Sequence, residues 1–166
     1  YQNPIAPNQE GEILVRGSNV MQEYLHRPEE TAKTITADGW LRTGDLGRMD
    51  EDGFIFVTGR IKELIIKGGE NIAPREVDEA LLEHDAVLEA AAFPRACKDY
   101  GQRVEACVCL KKGRNVSENE LRKFCEGLIG AYKTPDHIYF LDDLPKGPSG
   151  KVQRMKLIDL TQSVNT

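Results

Sequence analysis

"GRIKELIIKGGENIAPREVD", residues 59–78, is where the character of the chain changes. The piece "ELIIKGGENI" places two apolar runs around Gly68-Gly69, the signature of a tight hairpin. The piece "APREVDEALLEHD", residues 73–85, follows at once and reads as a helix. Pro74 sits in its first turn, where a missing N–H is harmless, and Val77, Ala80, Leu81 and His84 recur on one face. A hairpin running straight into an amphipathic helix opens a mixed α+β unit, and the boundary with what precedes it falls near Arg60.

Upstream of that boundary the chain is mostly β. "EGEILVRG" (10–17) and "DEDGFIFVTGR" (50–60) carry apolar alternation, the second after an Asp52-Gly53 turn. "HRPEETAKTI" (26–35) is a proline followed by helix formers, and "GWLRTGDLG" (39–47) reads as a strand entering a polar glycine loop. Downstream, "AVLEAAAF" (86–93), "RVEACVCL" (103–110) and "HIYFL" (137–141) read as strands. "SENELRKFCEGLIG" (117–130) is a helix whose Ser117 and Glu120 form a capping box ahead of Leu121, Phe124, Cys125 and Leu128. "QRMKLIDL" (153–160) predicts a closing helical turn. The expected class is α+β: residues 1–60 as a β-rich piece, then residues 61–166 as a small α+β domain with a central antiparallel sheet flanked by helices.

Composition narrows the functional classes. The chain has 166 residues, 40% hydrophobic and 30% charged, enough to bury a core. A net charge of −5 without a local basic patch argues against nucleic acid and anionic membrane surfaces as partners. No apolar stretch approaches the ~20 residues of a membrane span. Cys97, Cys107, Cys109 and Cys125 lack C-x-x-C spacing and a nearby His pair, so they read as buried thiols in a reducing compartment, with no metal site expected. The chain opens Tyr1-Gln2-Asn3-Pro4, with no initiator Met or leader, and reads as a piece of something longer.

Near the C-terminal end, "DLPKGPSGKVQR" (143–154) mimics a phosphate-binding loop. The likeness fails at both ends of G-x-x-x-x-G-K-[ST], because Pro145 holds the first Gly place and Val152 stands where the magnesium-binding hydroxyl belongs. Lys151 therefore needs another role. Three separated segments share polar side chains in glycine-rich settings: Thr43-Gly44-Asp45, then Gly59 to Lys62 with Lys67 to Asn71, and finally Gly150-Lys151.

In this order these segments resemble the later core motifs of the adenylate-forming superfamily, specifically the AMP-forming acyl-CoA synthetases. "GWLRTGDLG" is similar to the family's Thr-Gly-Asp segment, "GRIKELIIKGGENIAPREVD" to its hinge and hairpin, and "AYKTP" with "LPKGPSGKVQR" to its C-terminal lysine motif. The resemblance covers nearly the whole chain. It implies that residues 1–60 end a large AMP-binding domain in a β-rich, distorted-barrel subdomain, and that residues 61–166 are its mobile C-terminal domain. It also implies a cytoplasmic ligase that turns a carboxylic acid and ATP into an acyl-adenylate, then transfers the acyl group to coenzyme A. ATP, its Mg²⁺ ion and the acid would be held largely by a preceding domain missing from this chain.

Carried over residue by residue, the resemblance implies Lys151 as the catalytic lysine of adenylate formation and Asp45 and Arg60 as ATP and AMP contacts. It implies Lys62 as the hinge, and Lys67, Gly68 and Gly69 as the lining of the coenzyme A pantetheine tunnel. Each has a plainer reading when taken alone. Asp45 beside Gly44 is a turn former, Arg60 a surface ion pair, Gly68-Gly69 an ordinary hairpin turn and Lys151 a solvated lysine. Two other functions remain: a non-catalytic binding module of the same fold, and an adenylation domain of peptide assembly, against which "IIKGGENI" favours the CoA-using branch. The chain departs from the usual pattern at Gln22 and Glu23, at Gln102 where Glu is common, and at Gly147 where Thr is frequent.

Overall fold

The computed structural model describes residues 4–162, and the chain divides into two units, Tyr1–Lys62 and Glu63–Thr166. In the first, β1 (Glu10–Val15), β2 (Leu41–Met49) and β3 (Ile55–Arg60) form an antiparallel sheet in the order β1-β2-β3, with α1 (Pro28–Thr34) between the first two strands. Among the described residues the sheet is open and does not close into a barrel. The Thr-Gly-Asp segment lies inside β2, where sequence reading expects a loop. Gly44 at φ +72° and a register shift between Leu46 and Gly47 put the loop-like backbone within the strand itself.

A 3₁₀ turn (Ile61–Glu63) spans the break between the units, its last residue opening the second. The strands β4 (Ile65–Lys67) and β5 (Glu70–Ile72) make the expected hairpin, and α2 (Pro74–Leu82) follows directly. The long strands β6 (Val87–Cys97) and β7 (Gly101–Leu110) pair antiparallel at the centre. After α3 (Glu118–Lys133), β8 (His137–Phe140) pairs parallel with β7, a departure from a purely antiparallel sheet. The reason is topological: a parallel neighbour needs a crossover, and α3 is that crossover. The chain ends, among the described residues, in α4 (Arg154–Gln162), a full helix where the sequence indicates only a turn.

This sheet is covered on both faces, which is why β7 is buried without interruption from Val104 to Cys109. On one side Val104, Ala106 and Val108 pack with Val77, Ala80 and Leu81 of α2 and with Leu121 and Cys125 of α3. On the other, Ala91, Phe93, Cys107 and Cys109 pack with Leu144 and with Leu157 of α4. The capping box forms as expected, with the Glu120 amide donating to Ser117 Oγ and the Ser117 amide donating to Glu120 Oε2. His84 falls just past α2, and its ring packs edge-on against Phe124 at 4.9 Å.

The cysteines are all free thiols, three of them buried and Cys97 half-buried. Burial, reinforced by Cys109 and Glu105, pushes Cys107 up to about 12, and burial pushes Cys125 up to about 11. Thiolate is the reactive form, so both are inert near neutral pH. A charged thiol reagent at pH 8 is expected to label Cys97 alone in the folded protein and all four thiols in denaturant, read by intact mass; rapid native labelling of Cys107 or Cys125 would contradict the packing.

Candidate functional site

In the first unit, Asp45 and Arg60 are direct partners across β2 and β3, and Arg60 Nε donates to Asp45 Oδ1 at 2.8 Å. Thr43 sets the neighbouring backbone: its hydroxyl donates to the Ile13 carbonyl at 2.8 Å and accepts from the Asp45 amide at 3.0 Å. The Gly44 amide donates to Glu12 Oε1 at 3.2 Å. Asp45 therefore stands with one oxygen oriented by a guanidinium and a second available as an acceptor. Gly47 is tightly enclosed, since a Cβ there would lie 2.8 Å from the Phe56 carbonyl oxygen. A cleft of about 650 Å³ in this unit, lined by Ile5, Ile13, Trp40 and Met49 among others, does not include Asp45 or Arg60.

Lys62 is exposed within the 3₁₀ turn and is the last residue of the first unit. Five residues on, Lys67 is buried, with 7% of its surface exposed. Its ammonium donates to the Tyr132 carbonyl at 3.0 Å, stands 3.7 Å from Asp136 and lies 5.3 Å from the Tyr132 ring centre. The Tyr132 hydroxyl in turn donates to the Lys67 carbonyl. This reciprocal clasp joins the β4–β5 turn to the end of α3, past the kink that the helix makes at Gly130, φ +77°. Gly68, at φ +55°, sits where a Cβ would come within 3.0 Å of the Tyr132 hydroxyl and 3.4 Å of the Tyr100 ring. Gly69, at φ +89°, has open space around it. Gln102 explains its own place: its Oε1 accepts from the Ile66 amide at 2.7 Å, which an amide oxygen does as well as a carboxylate.

Lys151 stands on the returning limb of a closed loop, directly after its Gly147–Gly150 turn. Lys146 and Val152 bridge its base, the Gly147 amide donates to the Lys151 carbonyl at 2.8 Å, and the Gln153 amide donates to the Pro145 carbonyl at 2.7 Å. Gly150 supplies the positive φ, +78°, that closes the turn. The Lys151 side chain is exposed and, among the described residues, engages no carboxylate or carbonyl. Its neighbour Lys146 is spoken for: Nζ donates to both Glu89 oxygens, at 2.7 and 2.9 Å, and to Asp143 at 3.1 Å. Those bonds, Glu89's first, raise its pKa.

Two groups escape a reading of motifs. Arg154 is largely buried, with Nη2 at 2.5 Å from Asp78 Oδ2 and Nε at 3.2 Å from Glu63 Oε2. Burial would lower the Arg154 pKa, but the hydrogen bond and charge of Asp78, then Glu63, leave it raised; burial also pushes the Asp78 carboxyl up against the pull of Arg154. Glu105 is fully buried and receives Arg95 Nε at 2.7 Å and Arg103 Nε at 2.9 Å. The partners of Arg154 lie far off in sequence, the arginines of Glu105 two and ten residues away on β7 and β6, and only the apolar run around Glu105 marks a charge that must be paired if it is inside. No cluster of three metal-ligating side chains occurs among the described residues, and no helix among them is long and apolar enough to cross a membrane.

Against known proteins, residues 76–151 match the family model of the AMP-binding enzyme C-terminal domain. The chain is 51% identical over 156 residues to sulfoacetate–CoA ligase of Cupriavidus necator, a match covering 94% of this chain and 31% of that protein. It is 46% identical to 2-succinylbenzoate–CoA ligase of a Geobacillus species, over 93% of this chain and again 31% of the relative. Among solved structures, ATP-bound MatB from Rhodopseudomonas palustris superposes with a TM-score of 0.90 at 33% identity, over 98% of this chain and 32% of that one. Bacillus subtilis o-succinylbenzoate CoA synthetase, in complex with its acyl-adenylate intermediate, gives 0.85 at 40% identity, over 92% of this chain and 31% of that one. The chain thus spans about a third of the length of the relatives it matches. Residues 76–151 therefore carry an AMP-binding enzyme C-terminal domain, and along nearly its whole length the chain is similar to about a third of the length of CoA ligases.

Proposed function

We propose that this chain is the C-terminal portion of an ATP-dependent acyl-CoA ligase, which converts a carboxylic acid to an acyl-adenylate and passes the acyl group to coenzyme A. Residues 1–60 end the large AMP-binding domain, and residues 61–166 form the mobile C-terminal domain, with Lys62 as the hinge. The observation that carries the reading is Lys151: an exposed ammonium that, among the described residues, has no side-chain partner, held just after the turn of a glycine-closed loop whose base is bridged by Lys146 and Val152.

Each role follows from chemistry. Attack of a carboxylate on the α-phosphate of ATP crowds two anions together, and a positioned ammonium between them lowers the barrier electrostatically. A compact point charge on a long stem suits Lys151 to enter a cleft built by other residues. Asp45 accepts from the two ribose hydroxyls of ATP and of the adenylate, because a carboxylate offers acceptors and no donor, and the Arg60 bond fixes its plane. A hinge is a short element-terminal segment that absorbs a backbone rotation, and Lys62 lies in such a segment. At Gly68 and Gly69 the absent side chains let a pantetheine chain approach the backbone. Lys67 contributes to that tunnel through its backbone, its ammonium being turned inward to Tyr132. The Mg²⁺ that accompanies ATP is bound by residues outside this chain, in a reducing, cytoplasmic setting that suits four free thiols.

The test is a panel of aliphatic and aromatic carboxylic acids on the full-length ligase with ATP and CoA, reading AMP. Acid-dependent AMP formation is expected with at least one of them, whereas residues 1–166 alone should release no pyrophosphate with any. Carboxylate-dependent pyrophosphate release by the 166-residue chain would overturn the division of labour proposed here.

A further inference from the structure

The carboxyl-side foot of the Lys151 loop is gripped by one side chain whose contacts reach three other parts of the second unit. Arg154 opens α4, three positions after Lys151, and its side chain is 17% exposed. Nη1 donates to Asp78 Oδ1 of α2 at 3.2 Å and to the Ala92 carbonyl of β6 at 2.9 Å. Nη2 donates to Asp78 Oδ2, and Nε donates to Glu63 Oε2 at 3.2 Å. Asp78 completes the knot by accepting from the Ala92 amide at 2.6 Å. The other foot of the loop is pinned independently by Lys146 on Glu89 and Asp143. Between the two feet the Lys151 side chain is exposed and, among the described residues, engages no carboxylate or carbonyl.

What such an arrangement supplies is direction more than strength. A buried ion pair is often no more stabilising than well-packed apolar side chains of similar volume. A guanidinium, however, is a flat fork whose five donors fix the angle between everything they touch. Here it fixes the start of α4, and so the exit of the loop, against α2, β6 and Glu63 at once. Glu63 is the first residue of the second unit and follows Lys62 directly.

We propose that Arg154 is a positioning residue for Lys151: it sets the aim of the lysine loop and, through Glu63, ties that aim to the segment by which the chain enters the second unit. The inference rests on the reading of Lys151 as the lysine of adenylate formation. Arg154 itself touches no reacting atom. Its loss should therefore act on the step that uses Lys151 and leave substrate binding and the CoA step alone.

The experiment uses the full-length ligase and measures the half-reactions separately: pyrophosphate release with acid and ATP, and thioester formation from supplied acyl-adenylate and CoA. Arg154→Lys keeps the charge and loses the fork. It should lower kcat for adenylation about 10- to 100-fold, the scale of a misplacement near 1 Å, with KM for ATP and the thioester rate within about twofold of wild type. Glu63→Gln removes one arm and leaves the Asp78 pair, and should lower the same rate about threefold with an unchanged melting temperature. Lys151→Ala is the reference. If it abolishes adenylation while Arg154→Lys and Glu63→Gln leave the ratio of the two half-reactions at the wild-type value, Arg154 is only a structural brace and the inference fails. If Lys151→Ala leaves adenylation intact, the reading of the lysine fails first and takes the inference with it. Should Arg154→Lys not fold, Glu63→Gln decides alone: a shifted ratio supports the positioning role, and an unshifted one overturns it.

Discussion

Replacing Lys151 by alanine in the full-length ligase is expected to lower acyl-adenylate formation by about 10²- to 10³-fold, the scale at which removing one preorganised charge or donor acts on a transition state. On the proposed role the loss should fall on kcat, because the ammonium would be needed most where negative charge concentrates and least where substrate merely docks. Thioester formation from supplied acyl-adenylate should stay near the wild-type rate. The folded state should tolerate the change, since Lys151 is exposed and its loop closes through backbone bonds at Gly147, Lys151 and Gly150. Unchanged circular dichroism and melting would show this. Equal damage to both half-reactions would count against the assigned role.

The largest effect on stability should come from Glu105→Ala. Glu105 is 0% exposed and compensates two arginines, Arg95 and Arg103. Arg95 cannot readily escape, because its side chain is 13% exposed and its guanidinium also donates to Ile158 and Thr161 of α4. Removing the carboxylate would strand at least one buried charge, which costs about 3–5 kcal/mol. In a unit of this size that lowers the melting temperature by more than about 10 °C. Glu105→Gln, which keeps an acceptor but loses the charge, should lie between wild type and alanine. A loss under about 1 kcal/mol for Glu105→Ala would mean that both arginines find solvent, and that the ion pairs are incidental to the core.

How far the sequence spoke depended on the range of the physics involved. Local signals were legible: the Ser117–Glu120 capping box announces α3, Pro74 marks the start of α2, and glycines mark the turns at 68–69 and 150. So was the α+β class. The parallel β7–β8 pair was not, because strand direction is set by the route of the connection and not by the strand's own residues. The Thr-Gly-Asp segment looked like a loop from its composition, yet neighbours on both sides, β1 and β3, hold it as a bulged strand. The Asp45–Arg60 bond follows from register, which a one-dimensional pattern leaves open.

The resemblance placed the candidate site residues in chain order, but it said nothing of what each side chain touches. Lys67 shows the difference. Its neighbours in sequence are a hairpin turn, whereas its partners, Tyr132 and Asp136, come from the far end of a helix and the segment after it. Arg154 and Asp78 are similarly distant and meet only once β6 has carried α2 and α4 to one corner. A charged residue after a glycine-rich lysine motif looks ordinary until its burial is known.

Because the Lys67 ammonium is already satisfied, a ligand reaching the Gly68–Gly69 bend as proposed would meet peptide groups, the Tyr100 and Tyr132 rings and the exposed Glu70, not a loose cation. Such a bend would sort what passes it chiefly by girth and flexibility. Anything slender and neutral along its length would slip by more easily than something bulky, whatever phosphates it trailed behind.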